Sequence, residues 1–238
     1  MRIKKTRLTT KHIYCISDEN APTYYSESFK MIATNIEFIA ITQKCKNILI
    51  TSAIDNEGKT NCAVNIAIAL AGCDKKVCLV DCDLRRPSVH LVQRHRYGLT
   101  HVLKGECKLE EALFKHSDSD LNILLAGIIP PNPTELIASK KMENLVNQLS
   151  EKFDYIIYDS PPCLTLSDAS ILGRYMDVCI LTVKHHFTDK RVLARAKRIL
   201  ESAGIKIVGS IITQYNVKKD RSNSYYSNVG KYYDESDY

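Results

Sequence analysis

The chain has no tryptophan and no C-x-x-C pair, and none of its apolar runs nears the length of a membrane span. The longest, Ile66–Cys73, falls far short of the ~18 residues that a spanning helix needs. No apolar stretch of the secretory type follows the charges at the start of the sequence, so a cytoplasmic protein is expected. The nine cysteines are odd in number and scattered, which argues against a disulfide framework and gives a zinc site no support. Reduced, mostly buried thiols are the expectation. With 45% hydrophobic and 25% charged residues, nine Gly and seven Pro, disorder and collagen-like structure are excluded as well.

A basic fold is also missing. The formal net charge is +6, but Arg2, Lys4, Lys5, Arg7 and Lys11 supply +5 of it, with no acid among the first 12 residues. A nucleic-acid binder spreads cations over its fold, so no nucleic-acid partner is expected. The arm suits an anionic membrane surface or an acidic partner. Three segments follow: a basic arm (1–23), a single domain (24–215), and a polar, tyrosine-rich tail (216–238) without strand or helix period.

What is present is a βαβα alternation. Apolar strands are predicted at Ile48–Ser52, Val77–Val80, Leu121–Leu125, Tyr155–Tyr158, Val178–Val183 and Ile205–Thr213. Helical patterns fall at Thr60–Ala71, Thr134–Ser150, Ser167–Tyr175 and Thr188–Ala203, the last closed by Gly204. An amphipathic helix, Tyr25–Ile41, precedes the first strand. Strands separated by helices imply a doubly wound, mostly parallel sheet covered on both faces.

Three constellations carry chemistry. Between the first strand and its helix stands Ala53-Ile54-Asp55-Asn56-Glu57-Gly58-Lys59-Thr60, the phosphate-loop spacing with Ala in the first glycine's place. Such a loop turns backbone N–H groups and a helix N-terminus toward phosphates, with the lysine reaching the β/γ-phosphates and the hydroxyl on Mg²⁺. Residues Asp55 to Asn61 are therefore the candidate nucleotide cradle. The second is Val80-Asp81-Cys82-Asp83-Leu84-Arg85-Arg86-Pro87, whose alternation places Asp81 and Asp83 on one side of an extended chain. The third is Tyr155 to Asp159 followed by Ser160-Pro161-Pro162, an apolar strand ending in an acid in the manner of a Walker B carboxylate.

Together these segments resemble the bacterial tyrosine kinases (BY-kinases) of capsular polysaccharide synthesis, which use a phosphate-loop fold. The second constellation is similar to the family's D-x-D-x-R motif. Ala126-Gly127-Ile128-Ile129-Pro130-Pro131-Asn132-Pro133-Thr134-Glu135-Leu136 resembles its AG-x-x-PPNP-x-EL stretch, and Ser167-Asp168-Ala169 also matches. The resemblance implies transfer of the ATP γ-phosphoryl group to tyrosine. Lys59 would neutralise developing charge, Thr60, Asp83 and Asp159 would hold Mg²⁺, Asp81 would take or orient the phenol proton, and Arg85 would pair with phosphate or with the Asp pair. It further implies autophosphorylation of Tyr225, Tyr226, Tyr232, Tyr233 and Tyr238, five of 13 tyrosines gathered in the last 14 residues. A membrane adaptor at the inner face of the membrane, a homo-oligomer and a cognate tyrosine phosphatase are the implied partners.

The sequence departs from that family in places. Asp55 and Asn56 replace the usual Pro-Gly, Glu27, Lys30 and Ala33 stand where E-x-x-R-x-x-R supports rings, and Ile212-Thr213-Gln214 replaces an LN ending. Two alternatives stay open: an ATPase switch of the partition or division-site type, and a weakly active pseudokinase adaptor. Arg191, Arg195 and Arg198, spaced i, i+4, i+7, read as a solvated or partner-facing surface, and His185-His186 has no assigned role.

Overall fold

The computed structural model describes residues 8–9, 15–18, 20–91, 96–116 and 120–215. The expected autophosphorylation sites and most of the basic arm lie outside them. A short pair, β1 (Leu8–Thr9) with β4 (His90–Leu91), stands apart from the main sheet. The main sheet is built from β2 (Asn47–Ser52), β3 (Val77–Asp81), β5 (Phe114–Lys115), β6 (Leu121–Leu124), β7 (Tyr155–Asp159), β8 (Val178–Lys184) and β9 (Ile207–Thr213). Their order is β5-β6-β3-β7-β2-β8-β9, and every pairing except β5 with β6 is parallel. The predicted doubly wound sheet is present, with one antiparallel edge.

Strand periodicity decides how the core divides. In β2, β3 and β7 every residue is buried, and alternate side chains enter opposite clusters. Leu49, Val80, Tyr158 and Leu181 pack on one face, Ile50, Leu79, Ile157 and Ile180 on the other. Helices α1 (Thr23–Gln43) and α2 (Lys59–Ala71) contribute to the second face; α3 (Leu99–Lys104), α4 (Leu109–Ala112), α5 (Pro133–Ile137), α6 (Lys140–Lys152), α7 (Asp168–Leu172) and α8 (Lys190–Ser202) contribute to the first.

Three predicted elements are drawn differently by the structure. The single helix expected over Thr134–Ser150 is two, because Ser139 caps a new helix, its Oγ accepting from the Met142 N–H at 3.3 Å. The helix expected over Ser167–Tyr175 ends at Leu172 and tightens into a 3₁₀ turn, Gly173–Tyr175. The last strand begins at Ile207 instead of Ile205, since Ile205 is spent closing α8, its N–H donating to Leu200 O at 3.1 Å after Gly204 turns left-handed at φ +81°.

The topology concentrates chemistry at one edge. β2 and β3 are separated by β7, so the connection through α2 crosses over it, and the C-terminal ends of all three strands open on the same side. Asp81 and Asp159 are register partners there. Open α/β sheets bind ligands at such an edge.

Candidate active site

The phosphate loop leaves β2 fully buried and turns through two left-handed residues, Asn56 (φ 65°) and Gly58 (φ 84°). Asn carries the first of these at modest cost. Gly58 is needed for φ and for space: a Cβ there would stand 3.3 Å from Thr213 Cγ2.

Glu57 organises the loop from inside. It is wholly buried; one carboxylate oxygen accepts the Ile54 N–H at 2.7 Å and the other accepts the Thr188 hydroxyl. Its backbone carbonyl accepts Thr213 Oγ1 at 2.8 Å. The loop is thereby tied to the segment before α8 and to the end of β9. Asp55 and Asn56 are exposed, while the Asn61 side chain accepts from Tyr25 Oη of α1 at 2.9 Å.

Lys59 begins α2 and points along the strand ends. Its Nζ donates to Asp83 Oδ2 at 3.1 Å and lies 4.0 Å from Asp159 Oδ1. Burial works against its charge, but the Asp159 and Asp83 carboxylates outweigh burial and hold its pKa above the usual lysine value. Asp81 is enclosed: Oδ1 accepts the Asp83 N–H at 3.0 Å and Oδ2 the Val89 N–H at 3.3 Å. Burial first, and the Asp159 carboxylate second, raise its pKa well above the carboxylate range. The Asp159 carboxyl is also raised, by burial, with Lys59 opposing. Asp83 is ordered through Oδ1, which accepts the Arg86 N–H at 3.0 Å.

Asp159 has the most telling geometry. Neither carboxylate oxygen has a hydrogen-bond partner, and among the described residues they are the buried side-chain atoms of which this is true. Buried carboxylates are ordinarily paired or metal-bound. The oxygen donors of Thr60, Asp83 and Asp159 form a hard set that suits Mg²⁺, which takes one or two carboxylates and completes its shell with phosphate oxygens and water. No group of three or more His, Cys, Asp or Glu side chains that could hold a metal occurs among the described residues.

Lys59, Thr60, Asp81, Asp83 and Asp159 are thus brought together, while Arg85 is held to one side. Arg85 Nε donates to the buried Asp168 carboxylate at 2.9 Å and its terminal nitrogen to Thr134 Oγ1 at 2.8 Å; Thr134 in turn donates to Asp168 at 2.7 Å. This triangle joins the loop after β3 to α5 and α7. Sequence reasoning assigned no role to Thr134, Asp168, Thr188 or Thr213. The first two sit inside the family-like stretches and Thr213 in the altered ending of the last strand, usable signals; Thr188 had none.

The AAA domain family matches residues 45–190. Tyrosine-protein kinase YwqD of Bacillus subtilis strain 168 is 36% identical over 228 residues, covering 95% of this chain and 96% of that protein. The chain belongs to the bacterial tyrosine kinases. The crystal structure of the chimerical protein CapA2B2 matches at 30% identity with a TM-score of 0.75, covering 82% of this chain and 86% of that one. The septum site-determining protein MinD of Pyrococcus horikoshii, complexed with Mg-ADP, shares the fold at 25% identity and a TM-score of 0.61, covering 72% of this chain and 71% of that one.

Against the BY-kinase pattern the departures acquire physical sense. Asn56 keeps the left-handed turn that the missing glycine would have made. Ala33 is fully buried beside α2, and Glu27 pairs with Lys30 of its own helix at 2.6 Å. Thr213, in place of the usual Asn, is committed to the phosphate loop.

Proposed function

We propose that this BY-kinase is an ATP- and Mg²⁺-dependent protein-tyrosine kinase whose acceptors are its own tail tyrosines, Tyr225, Tyr226, Tyr232, Tyr233 and Tyr238. The observation that carries the reading is the unpartnered Asp159 carboxylate beside Lys59 and Asp83 at the mouth of a phosphate loop. Bound Mg²⁺-ATP supplies the γ-phosphoryl group and the cationic charge that the two carboxylates lack. Thr60, Asp83 and Asp159 hold the metal, and the loop amides of Asp55 to Asn61 cradle the phosphates. The Lys59 ammonium, 3.1 Å from Asp83, would neutralise charge developing on the phosphate oxygens. Asp81 holds the turn that presents Asp83. Enclosed at the strand end beside Asp83, it is the group that takes or orients the phenol proton.

A role in capsule or exopolysaccharide assembly follows from the family resemblance. So does a membrane adaptor that recruits the chain to the inner membrane face, together with self-association and a cognate tyrosine phosphatase. No helix among the described residues is long and apolar enough to cross a membrane, which is the feature an adaptor would supply. The division-site ATPase reading shares the fold, but it gives no account of five clustered tail tyrosines.

Phosphosite mass spectrometry after Mg²⁺-ATP incubation, with the adaptor's cytoplasmic segment present, tests the proposal. Phosphate is expected on Tyr225–Tyr238 in the wild type and absent in a folded Lys59→Met variant. Phosphate in neither protein, or only on core tyrosines such as Tyr97, overturns it.

A further inference from the structure

Helix α8 is apolar within and cationic without. Ala196 and Leu200 are buried, and Val192 and Leu193 pack beside them. Lys190, Arg191, Arg195, Lys197 and Arg198 are exposed. Lys197 reaches Glu201 at 3.7 Å. No acid forms an ion pair with Arg191, Arg195 or Arg198 among the described residues, and the one side-chain hydrogen bond found in this trio, Arg198 Nε to Ala194 O at 3.4 Å, does not involve that residue's terminal nitrogens. Spacing of i, i+4 and i+7 aligns the three guanidinium groups on one side of the helix, over about 10 Å. Arg195 and Arg198 line an open recess with Ile199 and Ser202.

Helix stability does not explain this arrangement. Lys190 and Arg191 occupy the first turn, where the helix dipole disfavours cations. Guanidinium groups left unpaired are instead suited to planar, bidentate anions such as carboxylate and phosphate.

We propose that this arginine stripe is the docking surface for the acidic end of the chain's own tail, Tyr232–Tyr238, once its tyrosines carry phosphate; the inference rests on the kinase reading above. That end reads Tyr232-Tyr233-Asp234-Glu235-Ser236-Asp237-Tyr238, with three acids and no base, whereas Lys218, Lys219, Arg221 and Lys231 lie nearer the tail's root. Each phosphate adds roughly −1.5 to −2 charge and three acceptor oxygens. The root is well placed. Tyr215, the last described residue, lies against His185 with ring centroids 4.6 Å apart, and His185 is five residues ahead of Lys190. The 17 residues from Tyr215 to Tyr232 extend to at most about 60 Å, several times the length of the stripe.

The test uses the phosphatase-treated full chain and fluorescent peptides of residues 225–238, unphosphorylated or synthetically phosphorylated on Tyr232 and Tyr233. Anisotropy titration is expected to show the phosphopeptide bound about tenfold more tightly than the plain one, the worth of one charge-assisted hydrogen bond. The Arg191→Gln/Arg195→Gln/Arg198→Gln variant should lose about the same factor, with Mg²⁺-ADP affinity and Tm unchanged. Equal binding by this variant, or equal binding of a scrambled phosphopeptide, overturns the inference. It is equally overturned if phosphatidylserine vesicles capture the wild type but not the variant while phosphopeptide affinity stays put, which assigns the stripe to a lipid surface. The phosphate is installed chemically, so failure of the kinase reading leaves this binding result intact.

Discussion

Both carboxylate oxygens of Asp159 are closed to water, and Lys59 at 4.0 Å is too distant to hydrogen-bond them. A buried group left in this condition costs about 1–3 kcal/mol, more when charged. Its persistence is understandable if stability is sacrificed for a cation that arrives with the nucleotide. The Asp159→Asn substitution separates the two contributions. Without nucleotide, the variant is expected to be more stable by about 1 kcal/mol, a Tm gain of about 2–4 °C. The further gain that Mg²⁺-ADP gives the wild type should disappear in the variant. Differential scanning fluorimetry with and without Mg²⁺-ADP reads both effects. A variant that loses stability and keeps its response to Mg²⁺-ADP would show that Asp159 is paired for structure. This residue was legible in the sequence because a strand and its terminal acid are local. Glu57's true environment was not, since its partners Thr188 and Thr213 stand 131 and 156 residues away and no local pattern announces them.

The elements were legible where a hydrophobic period ran long enough to declare itself. All six predicted strands exist; full burial on both faces demands continuous apolar runs in β2, β3 and β7, and the half-exposed edge strand β9 still carries a run of Ile and Val. Breaks inside a periodic stretch were harder. Ser139 sits among residues that continue the helical pattern, and only its capping bond to Met142 splits α5 from α6. Helices α3 and α4, of six and four residues, are too short to display a period. The placement of α3 depends on a close approach at the residue before it: a Cβ on Gly98 would stand 2.5 Å from Leu125 O and 2.6 Å from Gly127 N, both backbone atoms. Gly98→Ala is therefore expected to destabilise the fold by about 1–3 kcal/mol, measured by urea denaturation. Gly209→Ala, which meets nothing within 4 Å, should change stability by less than about 0.5 kcal/mol. At the other end of the sheet, Thr213→Val removes the hydroxyl that holds the Glu57 carbonyl. Nucleotide affinity should fall about five- to tenfold, the worth of roughly one hydrogen bond, while Tm moves little. Isothermal titration with Mg²⁺-ADP checks this. An unchanged affinity would mean that the loop holds its shape without β9.

At the scale of the whole molecule, the crossover order brings Asp81 and Asp159 side by side at the end of neighbouring strands, beyond the reach of water. Both carboxyls have folded pKa values above their ordinary range, through burial first. The sign of the pH dependence follows. Below the unfolded carboxylate pKa of about 3.9 both states are protonated and the contribution of these groups to stability is fully present. As pH rises through the raised folded values, the unfolded chain ionises more readily than the folded one, and that contribution is lost. Nucleotide with Mg²⁺ reverses this, because it requires the charged carboxylates. The stabilisation conferred by Mg²⁺-ADP should therefore grow as pH rises from the unfolded carboxylate value of about 3.9 through the raised folded values, by up to about tenfold in affinity per pH unit for each proton released. Asp81→Asn/Asp159→Asn should flatten the profile. Thermal unfolding across that range, with and without Mg²⁺-ADP, distinguishes the cases. A gain independent of pH in the wild type would mean that both carboxylates are already ionised in the unliganded fold, and that Lys59, at 3.1 Å from Asp83 and 4.0 Å from Asp159, compensates them without help from a metal.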